Sequence, residues 1–289
     1  MRALLEARPP VIAIFVLRYL AGVLLASVAH RVSVDRVVLG AFGWACVTVA
    51  IYLYNGITDR REDVVNGSNR PIADGTLPVR FAACFALTAA VAGLLCAAAL
   101  GAAEACAALV LLALGQIYSG PPFRLKRRFY AASLVGGSGG LITYAAGALG
   151  AGGEIGIRLV VFGGAMSLWM GLVGGIAKDL PDEPGDRAAG RRTWPVVFGA
   201  RKARALMRAA AALVGAGFAT AAALWSAGLL WCALVVALGA GGVIVAAQGS
   251  QCADLRERSG RPYRAFMWTQ HLSHLVLVGT LGLGRSAWR

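Results

Sequence analysis

Residues 36–75 read RVVLGAFGWACVTVAIYLYNGITDRREDVVNGSNRPIADG. From Arg36 to Tyr54 the chain is almost wholly apolar. It then changes character and sets Asp59, Glu62, Asp63 and Asp74 among Arg60, Arg61 and Arg70. A helix needs about 20 apolar residues to cross a bilayer. The junction therefore reads as a membrane span running into a polar surface loop. A second junction of this kind, KDLPDEPGDRAAGRRT, occupies residues 178–193. Each junction holds four acidic residues, and together they hold eight of the chain's fourteen.

The composition agrees with that reading. Hydrophobic residues make up 58% of the 289 positions and charged residues 15%, and the mean hydropathy is +0.67. A soluble domain carries about 25% charged residues, so the chain is expected to be an integral membrane protein. Its net charge of +14 could suit a nucleic acid. The basic residues fall between apolar spans, however, which is the pattern of cytoplasmic membrane loops, and no nucleic-acid partner is expected. The cysteines form no CxxC and no Cys/His spacing fit for zinc, so Cys46, Cys84, Cys96, Cys106, Cys232 and Cys252 read as small buried hydrophobes. No separate cleavable signal is expected, because the first apolar run, from Pro10, is one of many.

The apolar runs give nine spans, at 10–29, 37–57, 79–99, 102–118, 130–150, 157–177, 205–225, 227–247 and 266–284. The fold class expected is all-α: a single polytopic domain over 1–289, with about nine transmembrane helices bundled around an apolar chamber. The 38 glycines read mainly as helix-packing positions, since small residues let helices approach closely in lipid. Of the 28 Lys and Arg residues, 22 collect on the side that holds loops 58–78, 119–129 and 178–204. By the positive-inside rule that side is cytoplasmic. The N-terminus is then inside, the C-terminus outside and both acidic junctions cytoplasmic, in what is expected to be a bacterial inner membrane.

Asp59 and Asp63 are four residues apart, on one face of a helix. Asp179, Asp182 and Asp186 are spaced three and four apart. An offset of 123 residues lays Asp182 on Asp59, Asp186 on Asp63, Lys178 on Asn55 and Asp179 on Gly56. Carboxylates on one helix face repel one another and call for a cation. Mg²⁺ takes few carboxylates, keeps waters and accepts phosphate oxygens, so two such stripes ringed by Arg and Lys suit a Mg²⁺–diphosphate. Solvated loops whose acids merely balance the bases would explain one junction, but explain two matched ones poorly. Pro181 and Pro184 disfavour a continuous helix through the second, so its three aspartates need not all face one ion.

At these residues the chain resembles the UbiA superfamily of membrane prenyltransferases. The family's first motif, N-D-x-x-D-x-x-x-D followed by N/Y-R-P-I-x-x-G, is matched by Asn55, Asp59, Asp63 and NRPIADG at 69–75. Its second, K-D-x-x-D-x-x-G-D, is matched by Lys178, Asp179, Asp182, Gly185 and Asp186. YSGPPFRLKRR at 118–128 and TWPVVFG at 193–199 resemble the branch that prenylates homogentisate and chlorophyllide. The resemblance implies ionisation of an allylic prenyl diphosphate and capture of the cation by an aromatic acceptor. It assigns catalytic roles to Asp59, Asp63, Asp179, Asp182 and Asp186, and Mg²⁺ to Asp59, Asp63, Asp182 and Asp186. The diphosphate falls to Asn55, Arg70, Tyr118, Lys126 and Lys178. The implied partners are a prenyl diphosphate, a hydrophobic acceptor and membrane lipid. The chain departs from the pattern at Gly56, where the family commonly has an aspartate. Position 56 reads as a vacant metal-ligand place that should tolerate Gly56→Asp.

Two rival readings stand beside this one. A terpene cyclase on the same scaffold would use the same diphosphate site. A membrane transporter would keep isolated ionisable residues near mid-membrane, which clustered acids at one face do not match. Arg124, Arg127 and Arg128 read as surface charges. Arg18, inside the first span, is either functional or snorkelling.

Overall fold

Hydrocarbon offers a backbone amide no hydrogen-bond partner, so a spanning segment must satisfy its own. The computed structural model, which describes residues 1–26, 32–65, 67–248 and 260–282, answers with helices throughout. Among the described residues, strand-like pairing is limited to an isolated bridge between Arg128 and Arg192. Among the described residues, seven helices are long and apolar enough to cross a membrane: Val34–Val65, Val79–Leu100, Ala102–Ser119, Phe129–Gly150, Ile157–Ala177, Ala200–Trp225 and Ala227–Ala246. The protein is an integral membrane protein of helical class.

Each of the nine expected spans overlaps a helix, and seven of these helices reach spanning length and apolarity among the described residues. The first lies on Pro9–Leu25, which is apolar but only 17 residues long. The last lies on Arg261–Leu277, also 17 residues, which continues as the π-helical Val278–Gly282. Residues 283 and 284 of that span lie outside the described residues, as do Arg31, Arg285, Arg289 and Cys252. Helix Val34–Val65 has 32 residues. At 1.5 Å per residue it is about 48 Å long, well beyond a hydrocarbon core of about 30 Å. The helix is thus longer than a span requires, and Asp59, Glu62 and Asp63 occupy its last turns.

The chain divides into two compact units. Met1–Leu125 and Ile142–Gly156 belong to the first; Lys126–Leu141 and the described residues from Ile157 onward belong to the second. In the first, Tyr19, Trp44, Val47 and Leu111 form one buried apolar cluster, and Leu53, Ile72 and Leu77 form part of another. Two glycines set the closest approach. A Cβ on Gly22 would run into the Tyr144 carbonyl and lie 3.0 Å from Gly147 Cα. A Cβ on Gly147 would run into the Tyr19 carbonyl and lie 3.0 Å from Gly22 Cα. Arg18, on helix Pro9–Leu25, does not reach out of the protein. It is buried, with its guanidinium 5.2 Å from the centre of the Phe15 ring.

In the second unit, Trp169 stacks on Phe266 with ring centres 6.1 Å apart and donates its indole N–H to the Phe266 carbonyl at 3.4 Å. Trp169 opens a π-helical stretch, Trp169–Gly174, that precedes the second acidic motif. The expectation that the cysteines are buried needs correction. Cys232 is buried, but Cys84 and Cys106 are exposed and Cys46 and Cys96 half-buried. Cys84, Cys96 and Cys106 lie on Val79–Leu100 and Ala102–Ser119, which present most of their surface outward, where lipid is as apolar a surrounding as a protein core.

Gly147→Val should lower the melting temperature of the detergent-solubilised protein, because forcing side-chain atoms into a packed crossing costs about 1–3 kcal/mol. Gly164→Ala, where nothing lies within 4 Å of the new Cβ, should leave the melting temperature unchanged or slightly raised. Equal melting curves for the Gly147→Val protein and wild type would contradict the close crossing.

Candidate active site

The first acidic motif follows directly from the length of helix Val34–Val65. The helix continues through Asp59 and Asp63, so both lie on one face as their spacing requires. Asn55, a turn earlier, donates its amide to Ser119 Oγ at 3.0 Å, at the end of the helix that also carries the half-buried Tyr118. After the helix the chain turns back and buries Arg70. Arg70 Nη1 donates to Asp63 Oδ2 at 2.8 Å, and Nη2 lies 2.6 Å from Glu6 Oε1. Glu6 comes from the N-terminal helix Arg2–Glu6. Its other oxygen accepts the Ile72 amide at 2.9 Å. Arg70 Nε is buried and without a hydrogen-bond partner among the described residues, a donor of the kind an anionic oxygen takes. Asp74, in contrast, closes its own turn. Its Oδ1 accepts the Thr76 amide at 2.8 Å and the Thr76 hydroxyl at 2.7 Å, and these bonds hold its carboxyl below the usual range.

Position 56 is not vacant. A Cβ on Gly56 would run into Glu6 Oε1 and lie 2.8 Å from Arg70 Nη2. Gly56→Asp therefore requires the Glu6 carboxylate and the Arg70 guanidinium to move, and it brings a second carboxylate into the space that Glu6 fills. Sequence reasoning missed Glu6 altogether. Its one signal was that it belongs to the minority of acids outside the two motifs.

In the second unit the prolines act as expected. Helix stops at Ala177, the chain turns through residues 178–182, and Glu183–Ala188 restarts with Asp182 at its N-cap. Asp179 and Asp186 are buried and Asp182 exposed. Lys178 Nζ stands 3.8 Å from Asp179 Oδ1, and Arg191 Nη1 donates to Asp186 Oδ1 at 3.4 Å. Burial pushes the Asp179 carboxyl up to about 6; Lys178 opposes this and Asp182 adds to it. Burial pushes Asp186 up to about 7, with Asp179 and Asp182 raising it further and the Thr193 hydroxyl and Lys178 opposing. Mutual repulsion among the three aspartates is thus a property of this unit even though they do not share one continuous helix. Lys126 is buried nearby in sequence to Arg127. Arg127 is more than a surface charge: its Nη2 donates to the Ala189 carbonyl at 3.2 Å and its own carbonyl accepts the Arg192 amide at 2.8 Å. It ties segment 126–128 to segment 189–192.

Among the described residues, no group of three or more His, Cys, Asp or Glu could hold a metal ion by itself. The donors nonetheless fit Mg²⁺, which binds through one or two carboxylates and completes its shell with water and phosphate oxygens. The second unit holds crowded, burial-raised aspartates of the kind a cation relieves, and the first holds a buried arginine Nε of the kind an anion takes.

Residues 15–270 match the UbiA prenyltransferase family, and the chain belongs to that family. It is 32% identical over 196 residues to the chloroplastic 2-acyl-4-prenylphloroglucinol 6-prenyltransferase of Humulus lupulus. That match covers 63% of this chain and 46% of the relative, so the chain spans about half the length of the curated relative it matches. Its fold is similar to that of a UbiA homolog from Archaeoglobus fulgidus solved bound to DMAPP and Mg²⁺, with a TM-score of 0.73, 19% identity, and 96% of this chain and 99% of that one covered. The same homolog bound to GPP and Mg²⁺ gives 0.73 and 19%, covering 96% and 100%. The nine-helix expectation aside, the family read from the motifs is the family found.

The raised aspartates set a pH dependence with a definite sign. An unfolded aspartate titrates near about 3.9, so between there and pH 6–7 the folded protein holds protons the unfolded chain does not. Stability of the metal-free protein should then fall as pH rises through 6 to 7. Melting temperatures in EDTA should drop between pH 5.5 and 8, and the Mg²⁺ concentration that restores them should be lower at pH 8 than at pH 6. A melting temperature in EDTA that rises across this range would contradict the assignment.

Proposed function

We propose that the protein transfers a prenyl group from an allylic prenyl diphosphate to an aromatic, phenolic or quinone-precursor-like acceptor, with release of diphosphate. The observation that carries this reading is the pair of carboxylate motifs, one in each unit. Each stands next to a helix that is apolar along its length. The solved homolog's ligands, DMAPP and GPP with Mg²⁺, support the donor class and the metal. The hop relative's name, a prenyltransferase acting on a phloroglucinol, supports a phenolic acceptor.

Asp59, Asp63, Asp182 and Asp186 hold the metal side in this reading, and Asp179 assists. When bound, Mg²⁺ would neutralise charge growing on the leaving diphosphate. The chain's own cations act on the same charge: Lys178 and Lys126 directly, Arg70 through its Nε–H. Asn55 is fixed by its bond to Ser119 Oγ, and in this reading its side-chain oxygen serves the metal or the diphosphate. Tyr118 supplies a ring face to an allylic cation. The prenyl tail and the acceptor occupy apolar space away from water, so that the acceptor rather than water takes the cation. We place the active-site loops and the N-terminus on the cytoplasmic side of a bacterial inner membrane, the C-terminus outside, and treat the whole chain as one catalytic domain.

Purified protein in detergent with labelled DMAPP or GPP and a panel of phenols should give prenylated phenols, and EDTA should abolish turnover. Asp59→Ala or Asp63→Ala should cost at least about 10²-fold in rate, or about 2.7 kcal/mol of barrier. Wild-type turnover in either variant rules out the catalytic assignment of the first motif. A cyclised prenyl product formed without any acceptor would replace the transferase reading by the cyclase one.

The orientation has its own check. Single cysteines placed in loops 58–78, 119–129 and 178–204, in a background without native cysteines, should resist an impermeant thiol reagent in intact cells and react in inverted vesicles. External labelling of any of the three loops sinks the cytoplasmic placement.

A further inference from the structure

The first motif lacks an acidic side chain at position 56, and an acidic side chain from 50 residues earlier in the sequence stands in its place. Glu6 is fully buried. The ideal Cβ of residue 56 would sit 3.0 Å from Glu6 Cδ and 2.8 Å from Arg70 Nη2. Arg70 is fixed at three points. Its Nη2 pairs with Glu6 Oε1 at 2.6 Å and lies 3.3 Å from the Glu6 carbonyl oxygen, and its Nη1 donates to Asp63 Oδ2 at 2.8 Å. Glu6, Arg70 and Asp63 therefore form one chain of charge, minus, plus, minus, that runs from the N-terminal helix into the acidic motif.

We propose that Glu6 is a positioning residue of the first motif. It takes the structural place of the acid missing at position 56 and, by sharing Arg70, governs how freely Asp63 can serve a cation. This rests on the reading of the motif as a metal–diphosphate site. The physical argument is one of shared charge. A guanidinium held between two carboxylates divides its attraction between them. Take the Glu6 charge away and Arg70 faces Asp63 alone. The pair tightens, and the carboxylate becomes a poorer ligand for Mg²⁺. The simpler explanation of Glu6 is that it pins the N-terminal helix, and hydrogen bonding alone would do that. The Ile72 amide already holds Glu6 Oε2 at 2.9 Å, and a glutamine would accept the same bond. A buried charge is a costly anchor unless its charge is used, because desolvation offsets much of what pairing returns. Glu6 also explains why a glycine is present at 56: any larger side chain there would displace the carboxylate that Arg70 requires.

The test exchanges the carboxylate between the two positions. Wild type, Glu6→Gln, Glu6→Ala, Gly56→Asp and the double variant Glu6→Ala/Gly56→Asp are purified in detergent. Their thermal unfolding is followed in EDTA and then across a titration of Mg²⁺ with inorganic diphosphate. In EDTA, Glu6→Ala and Gly56→Asp should each melt at least about 5 °C below wild type. The double variant should recover at least half of that loss, a non-additivity expected only of residues that share one partner. The concentration of Mg²⁺ giving half of the metal-induced rise in melting temperature should increase at least fivefold in Glu6→Gln and return toward the wild-type value in the double variant. Gly56→Asp as stable as wild type, or a double variant no better than the worse single, overturns the proposal. So does a Glu6→Gln protein with a lowered melting temperature and an unchanged Mg²⁺ midpoint, which is the signature of a pin and nothing more. A wild-type protein that shows no response to Mg²⁺ and diphosphate overturns the metal reading of the site and the positioning role with it. A wild-type response paired with an unmoved Glu6→Gln midpoint overturns the positioning role alone.

Discussion

A buried arginine between two carboxylates is the interaction on which the first motif depends. Arg70 reaches Glu6 on one side and Asp63 on the other, and all three are at least half-buried. Each charge there has an opposite neighbour at contact distance, although burial still holds the Asp63 carboxyl above its usual range against the pull of Arg70. Removing the middle one would leave two like charges in a poorly solvated place. The arrangement also fixes three segments that would otherwise be independent: the N-terminal helix, the end of Val34–Val65, and the NRPIADG turn. Ile72 and Leu77 then fill the apolar cluster beneath that turn.

The same logic of local compensation runs in the second unit with different parts. Two prolines break the helix, so the carboxylates are placed by turns and a short restarted helix instead of a continuous one. Lys178, Arg191 and the Thr193 hydroxyl offset part of the repulsion that burial amplifies at Asp179 and Asp186. Compensation here is incomplete: both carboxyls stay well above the usual carboxylate range. A cation is the natural remedy for that residual cost. The two motifs that an offset of 123 residues aligns are thus chemically parallel but built differently. In the first, an arginine is clamped between acids. In the second, acids crowd one another and wait on a counter-charge.

Much of this was legible in the sequence because it depends on near neighbours along the chain. Apolar runs located the helices, since a lipid-crossing segment must be apolar over about 20 residues whatever it packs against. Spacing of four put Asp59 and Asp63 on one face, and Pro181 and Pro184 announced the broken helix. Pro9–Leu25 reads as a span by the same criterion, although it is shorter than the seven helices that reach spanning length among the described residues. Outward-facing Cys84 and Cys106 were misread because hydropathy cannot separate a core position from a lipid-facing one.

The sequence by itself thus determined the membrane class, the helix positions, the family and the acidic residues that define the motifs. Each of these is a pattern within a few tens of consecutive residues. Only the tertiary structure decided what occupies the space at Gly56, which acid Arg70 pairs with besides Asp63, and that Arg127 ties down segment 189–192. Glu6 and Arg70 are 64 residues apart, and Arg127 and Ala189 are 62 apart. No periodicity relates residues so distant. Their meeting depends on how helices cross, and that is set by close contacts such as Gly22 against Gly147, which any single stretch of sequence leaves unspecified.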